Sequence, residues 1–236
     1  MAMTLYVAEK KDMATKIADA LGPHTRQGDA LVGQDFACIW CRGHLVAQAM
    51  PEDYAGEDWG EWKVEGLPMI PKKWEYKPEK GSESLLENAV RWMSDPRVDL
   101  VVNACDADRE GEGIFRRVAA WAGCSKHMLR FWSTATTPEA MRRDLASMKP
   151  LDRYDDLADA ADGRAKADWI IGLSATKAYT SLYRARFRCG RVMSAVLAMV
   201  VERTRASRGF SSVPFWTVEA AFEVGKELAQ AEGFLT

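Results

Sequence analysis

A chain of 236 residues with 47% hydrophobic and 28% charged side chains is neither a disordered tail, a collagenous repeat nor a disulfide-stapled miniprotein. It is long enough to bury a core in one large domain or one and a half smaller ones. With 32 Lys+Arg against 34 Asp+Glu and a net charge of −2, its whole surface is not built for a polyanion, unless the charge is segregated along the chain.

The N-terminus has no basic segment followed by a long apolar run and a small-residue cleavage site, so no signal peptide is read there. No run approaches the ~18 to 20 apolar residues of a membrane helix. Five cysteines, an odd count without framework spacing, point to free thiols in a reducing compartment and a soluble, cytoplasmic protein without a membrane partner. Cys38, Cys41 and His44 form a C-x-x-C-x-x-H string, but Cys105, Cys124 and Cys189 offer no second pair. A structural zinc needs four ligands, so zinc is not expected.

Thr4 to Ala8 predicts a strand, and Asp12 opens a helix with Met13, Ile17, Ala20 and Leu21 on one face, stopped by Gly22-Pro23. Residues 30–41 alternate like one or two strands. From Pro51 to Pro78 a Gly- and Trp-rich stretch of weak periodicity predicts an extended surface wrap with little regular structure. A helix is expected over Ser82–Ser94. The run from Val98 to Ala104 reads as a strand buried on both faces, as in a parallel sheet covered by helices. A helix over Gly111–Ala122, a short strand over Arg130–Ser133 and a helix over Pro138–Met148 with Thr137 as its N-cap complete the first part. This alternation predicts an α/β domain with a parallel sheet flanked by helices over 1–150. Residues 154–207 read as helical with a break at Arg188-Cys189-Gly190, and Val213–Val224 reads as a strand with little after it to pair with.

Charge follows the same division. Residues 1–162 carry 21 basic and 28 acidic side chains, whereas residues 163–208 carry 10 basic and 2 acidic ones, a net of +8. Residues 209–236 return to 1 against 4. The near-neutral total hides a basic helical segment suited to a polyanion groove.

The strongest chemical signal is Asp106-Ala107-Asp108-Arg109-Glu110-Gly111-Glu112, directly after the strand 98–104. In an extended chain Asp106 and Asp108 point the same way, with Glu110 at the entrance of the next helix. Carboxylates gathered at the C-terminal end of a parallel strand repel one another without a cation, and oxygen-only clusters suit Mg²⁺ or Mn²⁺. Glu9-Lys10 follows the first strand in the same way. Glu9 can complete the metal set or act as acid or base beside it, and Lys10 can neutralise a phosphate or a developing oxyanion.

Glu9-Lys10 with Asp106-x-Asp108-x-Glu110-Gly111 resembles the Toprim pattern of topoisomerases, primases and some nucleases. The strings Trp40-Cys41-x-Gly43-His44-Leu45, Leu67-Pro68-x-Ile70-Pro71-x-x-Trp74, Arg164-Ala165-x-Ala167-Asp168-Trp169-x-x-Gly172 and Gly190-Arg191-Val192 occur in order. Together they resemble the N-terminal part of a type IA DNA topoisomerase, closest to the bacterial topoisomerase III branch. The resemblance implies a Toprim domain over 1–150 with Glu9, Asp106, Asp108 and Glu110 as Mg²⁺ ligands and Glu9, Lys10, Asp108 and Glu110 as catalytic residues. It implies a helical segment of a single-strand DNA groove over 151–210, lined by Arg164, Asp168, Gly190 and Arg191, and the start of a β-rich domain over 211–236. Such enzymes cut one strand with a tyrosine, keep a 5′-phosphotyrosyl link, pass another strand and reseal, with the metal serving mainly the rejoining half. The partners implied are single-stranded or negatively supercoiled DNA and the C-terminal domains of the same enzyme.

Two departures bear on this. Met193 stands where the family has glutamine and Arg188 where it has serine, which alters what the site offers to a nucleotide. None of Tyr6, Tyr54, Tyr76, Tyr154, Tyr179 or Tyr183 has the context of the nucleophile. A metal-dependent Toprim nuclease or primase-like enzyme, and a catalytically silent DNA-binding fragment, stay open as other readings.

Overall fold

In the computed structural model, which describes residues 3–134, 137–224 and 227–235, Met3–Ala8 forms strand β1. Leu5 and Val7 face one hydrophobic core while Tyr6 and Ala8 face another, the period-2 division that a strand buried on both sides imposes. Helix α1 (Lys11–Leu21) buries Ala14, Ile17 and Ala18, and Gly22 ends it at φ 143. Strands β2 (Thr25–Arg26), β3 (Ala30–Val32) and β4 (Phe36–Trp40) follow. Strands β5 (Val46–Gln48) and β6 (Tyr76–Pro78) pair with each other as a separate ribbon. The chain continues through α2 (Glu83–Ser94), β7 (Val98–Ala104), α3 (Arg109–Trp121), β8 (His127–Arg130), α4 (Pro138–Leu145), β9 (Lys149–Pro150) and α5 (Asp155–Tyr183).

The main sheet has the order β2-β3-β4-β1-β7-β8-β9. Its four central strands, β4, β1, β7 and β8, are parallel, and its edges are antiparallel. Helices α2 and α3 cover one face through Leu86, Met93, Ile114 and Phe115, while α1 and α4 cover the other through Ile17 and Met141. The expected α/β class and parallel sheet are therefore present.

Several boundaries differ from the expectation for identifiable reasons. The short strand lies at His127–Arg130 rather than 130–133, because pairing with β7 runs from Leu100↔His127 to Asn103↔Arg130. Helix α3 begins at Arg109 rather than Gly111, since the Asp108 side chain accepts the Gly111 N–H at 2.8 Å and caps it there. Thr137 occupies the N-cap position of α4, yet its side chain makes no capping hydrogen bond.

The stretch between Pro51 and Pro78 is more than a surface wrap. It carries 3₁₀ turns at Pro51–Asp53 and Asp58–Gly60, and its Tyr54, Trp59 and Trp74 rings surround Trp169 of α5, with centroids 5.4–6.2 Å from that indole. The Trp169 indole N–H donates to Ala49 O at 2.9 Å, and Ser174 Oγ accepts the Met69 N–H at 3.0 Å. Burial of these large rings clamps α5 to the α/β domain.

The chain forms two compact units, Met1–Gly190 and Arg191–Thr236. Within the first, α5 ends where Arg184 takes the left-handed conformation at φ 50, so the expected break at 188–190 begins earlier. The second contains α6 (Arg191–Arg208) and the strands β10 (Trp216–Val224) and β11 (Glu227–Leu235). The strand expected to lack a partner has one: β10 and β11 pair antiparallel from Trp216↔Leu235 to Val224↔Glu227. It begins after Pro214, which has no N–H to give a ladder.

Candidate functional site

Strands β1 and β7 run side by side in parallel with Ala8 opposite Ala104, so the chain leaves both at the same edge of the sheet. From β1 the path goes to one side, toward β4, while β7 lies on the other. Open α/β sheets bind ligands in such a crevice. The residues emerging there are Glu9 and Lys10 from β1 and Cys105 to Asp108 from β7.

Lys10 joins the two strand ends. Its Nζ donates to Asp106 Oδ2 at 2.9 Å and lies 3.1 Å from Glu9 Oε1. These hydrogen bonds, that to Asp106 first, hold the ammonium above the ordinary lysine value. Glu9 is the more enclosed carboxylate, with 12% side-chain exposure against 35% for Asp106. The chain does not stay extended beyond Cys105: Asp108 N–H turns back to Asp106 O at 2.8 Å. Asp106 therefore points to Lys10 while Asp108 caps α3, and the two do not share one direction. Gly111 makes that turn feasible, because a Cβ there would lie 2.3 Å from Asp106 O. Glu110 reaches to the other side, with Oε1 accepting from His44 Nε2 at 2.7 Å.

Beneath the acidic turn lies a buried polar network. Arg130, fully buried, donates through Nη1 to the carbonyls of Asn103, Cys105 and Phe131 at 3.1, 2.7 and 3.0 Å, and through Nη2 to Asp106 O at 2.6 Å. Its Nε lies 3.1 Å from Glu112 Oε2. Glu112, also fully buried, accepts from Asn103 Nδ2 and from Arg116 Nε, both at 2.9 Å. One guanidinium thus holds the backbone from Asn103 to Asp106 in place, with charge-assisted hydrogen bonds stronger than neutral ones.

Among the described residues, no three His, Cys, Asp or Glu side chains are grouped closely enough to hold a metal ion. The donor chemistry nevertheless fits a hard divalent cation. Glu9, Asp106 and Asp108 offer only oxygen, and a cationic group, the Lys10 ammonium, already lies between the first two. The C-x-x-C-x-x-H string is not brought together: Cys38 packs in the core under α1, Cys41 in the core under α2 and α3, and His44 pairs with Glu110.

On α5, Arg164 and Asp168 lie one turn apart, with Arg164 Nε 3.7 Å from Asp168 Oδ2. Gly190 closes the first unit and Arg191 opens α6 in the second. Met193 is half exposed on α6, and Arg188 is exposed before it. Residue spacing alone does not mark Arg130, Asn103 or the His44–Glu110 pairing as part of the site. An arginine within the apolar run His127–Trp132 was the available signal, since a charge there must be buried and paired.

Residues 4–132 match the Toprim domain family and residues 152–234 match the DNA topoisomerase family. The chain is 32% identical over 223 residues to the DNA topoisomerase 3 of Bacillus subtilis, covering 94% of this chain and 30% of the relative. It is 35% identical over 219 residues to that of Shouchella clausii, covering 93% and 30%. It therefore spans about 30% of the length of these curated relatives. The full-length topoisomerase I of Thermotoga maritima has the same fold over 91% of this chain and 32% of its own, with a TM-score of 0.58 at 22% identity. The chain therefore belongs to the Toprim family, and the segment that follows its Toprim match is similar to the DNA topoisomerase family.

Proposed function

We propose that the chain provides the acidic site and part of the single-strand groove of a type IA DNA topoisomerase, an ATP-independent enzyme that cleaves one strand, passes another and rejoins the first. The observation that carries this reading is the convergence of Glu9, Lys10 and Asp106 at the adjacent ends of β1 and β7. The two family matches on either side of residue 150 support a Toprim domain over 1–150, followed by the groove segment over 151–210 and a further β-rich part.

Each residue then has a role. Glu9, Asp106, Asp108 and Glu110 would hold Mg²⁺, which would supply positive charge against a phosphate. Lys10, held by Glu9 and Asp106, presents its ammonium to a phosphate oxygen or to the oxygen on which charge develops. Glu9, the more enclosed carboxylate, gives or takes the proton at Oε1. Glu110 is oriented by the His44 N–H. Arg164 grips the strand's backbone while Asp168 holds its guanidinium, and Gly190 and Arg191 are further DNA contacts in this reading. The nucleophilic tyrosine comes from domains outside this chain. The five free cysteines support a cytoplasmic setting.

Equilibrium binding to single-stranded and duplex oligonucleotides of equal length tests the groove. Single strands are expected to bind more tightly, with affinity that falls as salt rises. Arg164→Ala is expected to weaken single-strand binding severalfold and to reduce the salt slope by about one phosphate's share. Equal affinity for both forms, or no effect of Arg164→Ala, would remove the groove from this reading.

A further inference from the structure

At the C-terminal end of α5, three aromatic rings stand in solvent. Tyr179 and Tyr183 stack at 6.1 Å with planes 9° apart, and Phe187 leans on both at 6.2 and 5.6 Å. Their exposures are 47%, 65% and 40%. The cluster is fixed rather than loose. After Arg184 turns the chain in the left-handed conformation, Thr180 Oγ1 accepts the Phe187 N–H at 3.2 Å, and Thr176 Oγ1 accepts the Cys189 N–H at 2.9 Å. Two threonines thereby dock the returning segment against the helix.

Arg184, Arg186 and Arg188 follow Tyr183 and flank Phe187 in the sequence, all exposed, and residues 179–190 contain no carboxylate. An apolar protein surface seated here would strip water from three permanent charges without pairing them. A polymer offering phosphates and flat π-faces together satisfies both halves of the patch.

We propose that Tyr179, Tyr183 and Phe187, with Arg184, Arg186 and Arg188, form a base-stacking platform for single-stranded nucleic acid. The proposal rests on the reading of α5 as a groove element. Tyr179 stands about 22 Å further along that helix than Arg164, at 1.5 Å per residue. The platform thus extends contact beyond the Arg164–Asp168 pair and adds recognition of base faces to recognition of phosphates. Stacking is sequence-tolerant, because every base has a π-face.

The test compares two fluorescent probes on the full chain: an oligothymidylate of about 16 nucleotides and an abasic deoxyribose-phosphate strand of equal length. Tyr183→Ala combined with Phe187→Ala is expected to weaken oligothymidylate binding about tenfold and to leave the abasic strand unchanged. Tyr183→Trp is expected to retain full affinity. Circular dichroism checks folding; if the double variant unfolds, Tyr183→Ala alone replaces it, since that ring is largely in solvent. Unchanged oligothymidylate affinity, while Arg164→Ala still weakens it, overturns the platform and leaves the groove standing. This is also the result if another protein segment occupies the patch. Equal losses on both probes overturn stacking as the mode of contact. A wild-type chain that binds neither probe overturns the groove reading itself.

Discussion

Replacing Arg130 by methionine is expected to destabilise the chain by at least about 3 kcal/mol, the scale on which removing one partner of a buried ion pair acts. The guanidinium is fully buried and serves four backbone carbonyls besides Glu112. Asn103 O and Asp106 O keep other donors, the N–H groups of Phe131 and Asp108. Cys105 O has no such second donor among the described residues, and Glu112 is left with Arg116 and Asn103. Urea denaturation measures the loss, and a change below about 1 kcal/mol would mean that water takes over the role of the guanidinium.

The same pair predicts a pH dependence. Burial raises the Glu112 carboxyl above the ordinary glutamate value and lowers the Arg130 guanidinium below its own, so desolvation outweighs mutual attraction on both sides. The folded chain holds a proton on Glu112 where the unfolded chain has lost it. That contribution to stability is complete below the ordinary glutamate pKa and is lost as pH rises through the raised one. Glu112→Gln should flatten this fall.

The second large effect concerns the strand-end site. Mg²⁺ at about a hundred times its Kd should stabilise the folded chain by about 2.7 kcal/mol, read as a rise in the thermal midpoint, and Asp106→Asn should abolish that rise. Lys10→Met should act in the opposite sense. The ammonium now satisfies Glu9 and Asp106 and repels a second cation at the same oxygens. Its removal should tighten Mg²⁺ binding about tenfold, less than the unscreened Coulomb energy because the lysine is largely exposed. Calorimetric titration of both variants measures this. Weaker Mg²⁺ binding in Lys10→Met would show that the lysine organises the ligands rather than competing for them.

Much of this architecture was legible wherever periodicity and end signals agreed. The β7 run matched its predicted limits, Val98–Ala104, because a strand buried on both faces leaves an unbroken apolar signature. Gly22 ended α1 for the conformational reason that Gly-Pro announces. The wrap between Pro51 and Pro78 was legible only as irregular. Trp59 and Trp74 find their core on α5, about a hundred residues further along the chain, and such pairing leaves no local period.

At the site, Glu9, Lys10 and Asp106 were legible from residue type and from their place after two strands. The directions of their side chains were not. Alternation assumed an extended chain through Asp108, whereas the helix claimed Asp108 as its cap and Gly111 let the backbone close on Asp106. Arg130 is not marked by its own strand, because all of its partners but Phe131 O lie elsewhere in the chain, on β7, the acidic turn and α3. The partner of β10 was missed because β11 is rich in alanine and glutamate, with little β-branched signal.

The proposed role of this chain is to contribute the acidic site and part of the groove to a strand-passing enzyme. It is tested most directly by mixing the chain with the remaining part of a topoisomerase 3, the part that supplies the tyrosine, and following negatively supercoiled DNA. Mg²⁺-dependent relaxation is expected that neither part produces alone and that Asp108→Ala abolishes. Two folded, associated parts that leave the DNA supercoiled would contradict it.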